Sequence, residues 1–266
     1  MDHSLDAGKS RLRAFVDAGL EALPRLPMVH STDCYSFADV LAGGTLQPQN
    51  CPVFTGEQLT YLFYGRPAFR PNIGAEPTSL THFFPVCIIF RTEWLPEIRR
   101  IFPFDSGAFH GGFYDAYLHH QMKLGDFALE PDAITPGKLI GRFFSTAGAY
   151  LTARPKIAPT FDASEFEAQS YSALINAREG NAIDSRGSGI EVQTASPITI
   201  ADAVAAVILP SPFADGASGA ALKKLGIAAL PYRITDRSRP NEFMSQITDI
   251  CYNYYIRTQI VAESEL

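Results

Sequence analysis

Charge is scarce in this chain. Only 19% of its 266 residues are Asp, Glu, Lys or Arg, against 46% hydrophobic, which excludes a disordered polymer and predicts a globular protein that buries a full core. The charges present sum to −6, so a broad basic face for nucleic acid is excluded, although a local basic groove is not. Cysteine is sparse: Cys34, Cys51, Cys87 and Cys251 are widely separated and make no C-x-x-C, the pattern of a reduced protein. Long apolar runs are missing. The longest, "FFPVCIIF" from Phe83 to Phe90, is far too short to span a bilayer. The opening "MDHSLDAGKSRLRAFVDAGLEAL" reads as an amphipathic helix and not as a charged start followed by an apolar core. The expectation is a soluble, cytoplasmic protein with no membrane partner.

Familiar catalytic signatures are also missing. The sequence contains no G-x-S-x-G, no P-loop, no G-x-G-x-x-G and no H-E-x-x-H. It has no repeats, and its 19 prolines and 20 glycines are scattered as turns within one compact domain. No linker divides residues 1–266.

Hydrophobic periodicity supplies the elements. A helix is predicted over residues 5–23, ended by Pro24 and Pro27, then a short strand at Val29–His30. Ser31 to Asp33 offer N-cap chemistry for a helix from Tyr35 to Ala42, stopped by Gly43-Gly44. "EQLTYLFYGRP" contains a strand of β-favouring residues, and the unbroken apolar "FFPVCIIFR" suits a strand covered on both faces. Between 94 and 180 the candidate helices are Asp115 to Lys123, Lys138 to Leu151 and Ser164 to Glu179. "GSGIEVQ", "AAVILP" and "ALPYRIT" read as later strands, "ASGAALKKLG" as a helix and Asn241 to Glu263 as a terminal helix. Strands and helices do not alternate strictly, so an α+β domain is expected rather than a doubly wound sheet.

Three distant stretches hold candidate chemistry. His30 ends a short strand and is followed by Ser31 and Thr32. Tyr61, Tyr64 and Arg66 lie on and just after the aromatic strand. Glu191 stands in "DSRGSGIEVQ", where alternation aims Glu191 and Gln193 to one face and Ile190 and Val192 to the other. Taken alone, Glu191 also suits an exposed position on an edge strand.

The order of these stretches resembles the ADP-ribosyltransferase superfamily: a His-Ser/Thr strand, a helix, "GGTLQP", "YLFYG", and late "IEVQ" followed by "PITIADAVAAVILP". The nearest branch is the diphtheria-toxin-like or poly-ADP-ribose-polymerase-like one, with its His-Tyr-Glu triad. The likeness covers residues 28–70 and 184–210. It implies a split antiparallel β-sandwich with surrounding helices, residues 94–180 being a helical insertion or elaboration, and NAD+ between two small sheets. It also implies a mono-ADP-ribosyltransferase, a glycosyltransferase that moves ADP-ribose from NAD+ to a protein or nucleic-acid acceptor, as small toxins and defence effectors do. On this chain the implied catalytic residues are His30, Tyr64 and Glu191, with Tyr61 the rival aromatic. The implied NAD+ contacts are His30, Ser31, Thr32, Tyr61, Tyr64, Arg66 and Arg186, and no metal is expected.

Two other readings stand beside it. "FDSGAFHGGFYDAYLHH" holds Asp105, His110, Asp115, His119 and His120. On a helix, Asp115 and His119 would share a face and invite a metal-dependent hydrolase. A module of the same fold that binds without turnover is the other.

Overall fold

The computed structural model describes residues 11–68, 80–157, 159–177, 185–236 and 243–266, without the side chains of residues 185 and 186. The chain runs α1 (Arg11–Asp17), β1 (Met28–Asp33), α2 (Cys34–Gly43), β2 (Thr45–Leu46), β3 (Gln49–Asn50), β4 (Gln58–Tyr64), β5 (Pro85–Phe90) and β6 (Arg100–Phe102). It continues through α3 (Ser106–His110), α4 (Thr135–Phe143), α5 (Ala147–Leu151), α6 (Phe166–Asn176), β7 (Glu191–Thr194), β8 (Ile198–Thr199), α7 (Ile200–Ala203) and β9 (Val204–Pro210). Last come α8 (Ser211–Ala214), α9 (Ala217–Lys224), β10 (Ala228–Tyr232) and α10 (Met244–Arg257).

A main sheet organises these elements, in the order β10-β9-β5-β1-β4-β7-β6, with β3 beside β4, while β2 and β8 pair antiparallel as a second, two-stranded sheet. Its pairings are antiparallel except β9 with β10, which are linked by α8 and α9, the crossover that parallel strands require. The protein is therefore mixed α+β with a largely antiparallel sheet. Strand β5 is buried at all six positions, as its continuous apolar run predicts. Helix α2 begins where Asp33 accepts the Ser36 N–H at 2.7 Å and ends on Gly44, whose φ of 68° needs glycine.

The stretch 94–180 departs from expectation in three ways. It supplies β6 to the sheet, so it is more than a helical elaboration. The helix expected at 115–123 is absent, because residues 111–117 run as turns after α3 stops at Gly111. The single helix expected at 138–151 is broken into α4 and α5 by Ser145, which takes φ 77°. The segment nonetheless builds core: Phe104 packs at a tilt against Phe127 and Phe143 edge-on against Tyr171, with ring centroids 5.1 and 4.8 Å apart.

What positions the candidate site is a parting of strands. β1 pairs with β4 only through Met28↔Tyr64 and Val29↔Phe63. From there β1 continues along β5 as far as Asp33↔Pro85, while β4 is bonded to β7 from Phe63↔Glu191 to Thr60↔Thr194. His30, Ser31 and Thr32 thus lose β4 as a ladder partner, and a gap opens between the two strands.

Candidate active site

The gap is a cleft of about 450 Å³, bounded by His30, Ser31 and Thr32 of β1, Thr60 and Tyr61 of β4, and the face of α2 carrying Tyr35, Ser36 and Asp39. That volume suits a nucleoside-sized ligand. One contact bridges the gap: His30 Nδ1 lies 2.8 Å from the Tyr61 carbonyl. A carbonyl only accepts, so Nδ1 carries the proton and Nε2 keeps a free lone pair. Burial lowers the His30 pKa, opposed by the bond to Tyr61, which favours this neutral ring. The Thr60 side chain is buried, and its hydroxyl has no partner among the described residues.

Directly opposed residues share a face of a sheet. Phe63↔Glu191 and Tyr61↔Gln193 are opposed pairs, so Tyr61 projects to the same side as Glu191. The Tyr61 hydroxyl and the Cys51 sulfur share a hydrogen bond of 2.6 Å, and the sulfur also accepts the N–H groups of Val53 and Phe54 at 3.2 and 2.9 Å. Burial is the main cause that raises the Tyr61 pKa, reinforced by the Cys51 bond and by the nearby charge of Glu191.

Glu191 is 1% exposed, on a strand flanked by β4 and β6, and so it is not on an edge. Its Oε1 accepts from the Ser106 hydroxyl at 2.7 Å and from Gln193 Nε2 at 2.7 Å, and its Oε2 accepts the Ser106 N–H at 3.0 Å. Burial first, and then the charge of Asp105, push its pKa up to about 8 against the downward pull of those three bonds. Asp105 is placed by its own task, accepting the Ala108 N–H at 2.7 Å to cap α3. A carboxylate so poised near neutrality is what acid–base and electrostatic catalysis use.

No family model matches this chain, and it matches no curated protein.

The cleft therefore joins His30, Ser31, Thr32 and Tyr61, with Glu191 on the Tyr61 side. Tyr64 is not part of it. Three residues beyond Tyr61, it faces the other way; it is 1% exposed, and its hydroxyl accepts the Leu26 N–H at 2.9 Å. Arg66 does not line the cleft either: it donates to the Ser188 hydroxyl at 2.6 Å and lies over the Tyr150 ring. The Arg186 side chain lies outside the described residues. Asp115 and His119 lie outside any helix, so the shared-face argument for a metal fails at its premise. Among the described residues no group of three or more His, Cys, Asp or Glu could hold a metal ion. No helix among them is long and apolar enough to cross a membrane.

Sequence reasoning missed Ser106 as a partner of Glu191. "DSG" signals only a turn or cap, and the contact spans 85 positions. It also passed over Thr60, Cys51 and Arg100. For Gln193 a signal existed, since alternation already placed it beside Glu191.

Proposed function

We propose that the protein is a mono-ADP-ribosyltransferase that cleaves NAD+ and passes ADP-ribose to a protein or nucleic-acid acceptor, with His30, Tyr61 and Glu191 as its working residues. The observation that carries this reading is the parting of β1 from β4, which opens a nucleoside-sized cleft between a neutral histidine and an aromatic that shares its face with a buried carboxylate.

In this reading Nε2 of His30 accepts a ribose hydroxyl. Tyr61 leaves Cys51 to stack on the nicotinamide, which brings Glu191 within reach of the adjoining ribose. The bond between the ribose carbon and the nicotinamide nitrogen then lengthens. Its electron pair leaves with neutral nicotinamide, and the sugar becomes oxocarbenium-like. Glu191 opposes that positive charge, which exists mainly at the transition state; glycosidases meet a related cation with carboxylates. The acceptor nucleophile attacks the sugar carbon and loses its proton. The cationic nicotinamide of bound NAD+ draws Glu191 toward its ionised form, and the rate of the free enzyme is expected to rise with pH through about 8.

The test is nicotinamide release from NAD+ by wild type and by Glu191→Gln. A loss of about 10²–10³ in rate is expected in the variant; equal rates would remove Glu191 from catalysis. The near-complete seal over Glu191 favours one second reading, a module that binds NAD+ without turnover. Equal thermal protection of both proteins by NAD+, with no nicotinamide from either, is its signature.

A further inference from the structure

Every partner of the Glu191 carboxylate is a donor, and only one of them has an end that can be exchanged. The Ser106 N–H is fixed by the backbone. The Ser106 hydroxyl receives Gln193 Nε2 at 3.3 Å, which takes up a lone pair and leaves its proton for Glu191. The Gln193 amide, by contrast, has an acceptor end and a donor end of nearly the same shape. Turned by 180°, it would set Oε1 against the carboxylate. That orientation suits only a protonated Glu191, which would then donate to it.

Arg100 opposes the turn. It is the β6 residue directly opposed to Gln193, and its Nη1 lies 3.4 Å from Gln193 Oε1. Guanidinium offers donors alone, so the amide oxygen must face Arg100 and the nitrogen must face Glu191. Arg100 is itself clamped. Glu57 holds it through two contacts of 2.5 and 3.0 Å, and its guanidinium lies 4.1 Å from the Phe54 ring centroid. This paired fork is a rigid arrangement that lysine does not reproduce in full.

We propose that Arg100 is a positioning residue: it fixes the Gln193 amide and thereby keeps the surroundings of Glu191 in the hydrogen-bond polarity of an ionised carboxylate. Without Arg100 the amide is free to turn, the protonated acid gains an acceptor, and the titration of Glu191 moves upward. The ionisable groups that face Glu191 directly are Asp105, ahead of α3, and Tyr61 of β4, and the substitution of Arg100 leaves both in place. The inference rests on the transferase reading for its kinetic consequence alone.

The experiment is a ¹³C NMR titration of the full chain labelled at the glutamate side-chain carboxyl, with the Glu191 signal identified by its loss in Glu191→Gln. Arg100→Met is expected to move the midpoint up by about one pH unit or more. Arg100→Lys, which retains donors toward Gln193, is expected to recover most of that shift. The rising limb of nicotinamide release against pH should move with the midpoint. An unmoved midpoint in Arg100→Met, or an equal shift in the Lys and Met variants, overturns the proposal. If Arg100→Met does not fold, Arg100→Ala decides. That change removes the same donors from Gln193 and is expected to move the midpoint up as far; no shift overturns the proposal. Absence of nicotinamide release by wild type would remove the transferase reading and leave the NMR titration as the full test.

Discussion

Glu191 carries a cost that depends on pH. Its folded pKa of about 8 stands above the ordinary 4.5, so the folded protein holds this proton over a range in which the unfolded chain has released it. Stability contributed by the protonated acid is therefore fully present below about pH 4.5 and declines as pH rises toward about 8. In Glu191→Gln that decline is absent. Melting temperatures of the two proteins, measured from pH 5 to 9, should show wild type losing ground to the variant between those limits and running parallel above them. Parallel curves throughout would mean that the acid is not titrating in this range. At this scale the sequence was partly legible. His30, Ser31, Thr32 and Glu191 could be singled out from residue type and position. The choice between Tyr61 and Tyr64 could not, because it turns on which of two faces of β4 meets Glu191. That is a matter of register, decided by the partner strand and not by β4 itself.

Elements were legible where one segment decides its own fate. Asp33 and Gly44 bracket α2 with local bonds and a left-handed residue, and β5 declares itself by an apolar run too short for most helices. Legibility failed where tertiary packing decides. An isolated helix of the length expected at 115–123 is marginal in water, and here the core accepts Tyr114 from a turn and Leu124 and Phe127 from a short 3-10 helix instead. β6 is three residues long and carries no pattern of its own. Between helices, the joint most open to test is the ion pair of α1 with α6. Both oxygens of Glu167, itself 1% exposed, receive the Arg11 guanidinium at 2.6 and 2.9 Å. Arg11→Ala strands that buried carboxylate and is expected to cost about 3 kcal/mol, the low end for a buried pair because Arg11 keeps contact with water. Urea denaturation measures it; a loss below about 0.5 kcal/mol, the ordinary range for surface changes, would show that water replaces the arginine.

Across the whole molecule, the composition announced a folded core, and the buried residues do form one cluster that spans sheet and helices. Composition is silent on how that cluster is fastened. Two tyrosines from outside the sheet, Tyr150 and Tyr255, tie down the place where β4 ends and β7 begins, and a third, Tyr252, ties α10 to α5. The Tyr150 hydroxyl donates to the Tyr64 carbonyl at 2.8 Å and accepts the Ile190 N–H at 3.1 Å. Tyr255 donates to the Gly65 carbonyl at 3.0 Å, and Tyr252 to that of Leu151 at 2.6 Å. Just beyond those ties the join between β1 and β4 is short: the strands share only two opposed pairs before they part, and past them the bond from His30 Nδ1 to the Tyr61 carbonyl bridges the gap. Hydrogen exchange at Val29 and Phe63 is accordingly expected to be faster than at Ile88 or Val207 in mid-sheet, and to slow when NAD+ spans the gap. Exchange at those positions that ignores NAD+ would count against a ligand there.

Those two pairs act as a fulcrum. A small rotation about Val29 and Phe63 is magnified along the free lengths of β1 and β4 into a larger change in the spacing of His30 and Tyr61. The reach of the imidazole and the aperture over the acid are therefore set together, by leverage from a join of two opposed pairs.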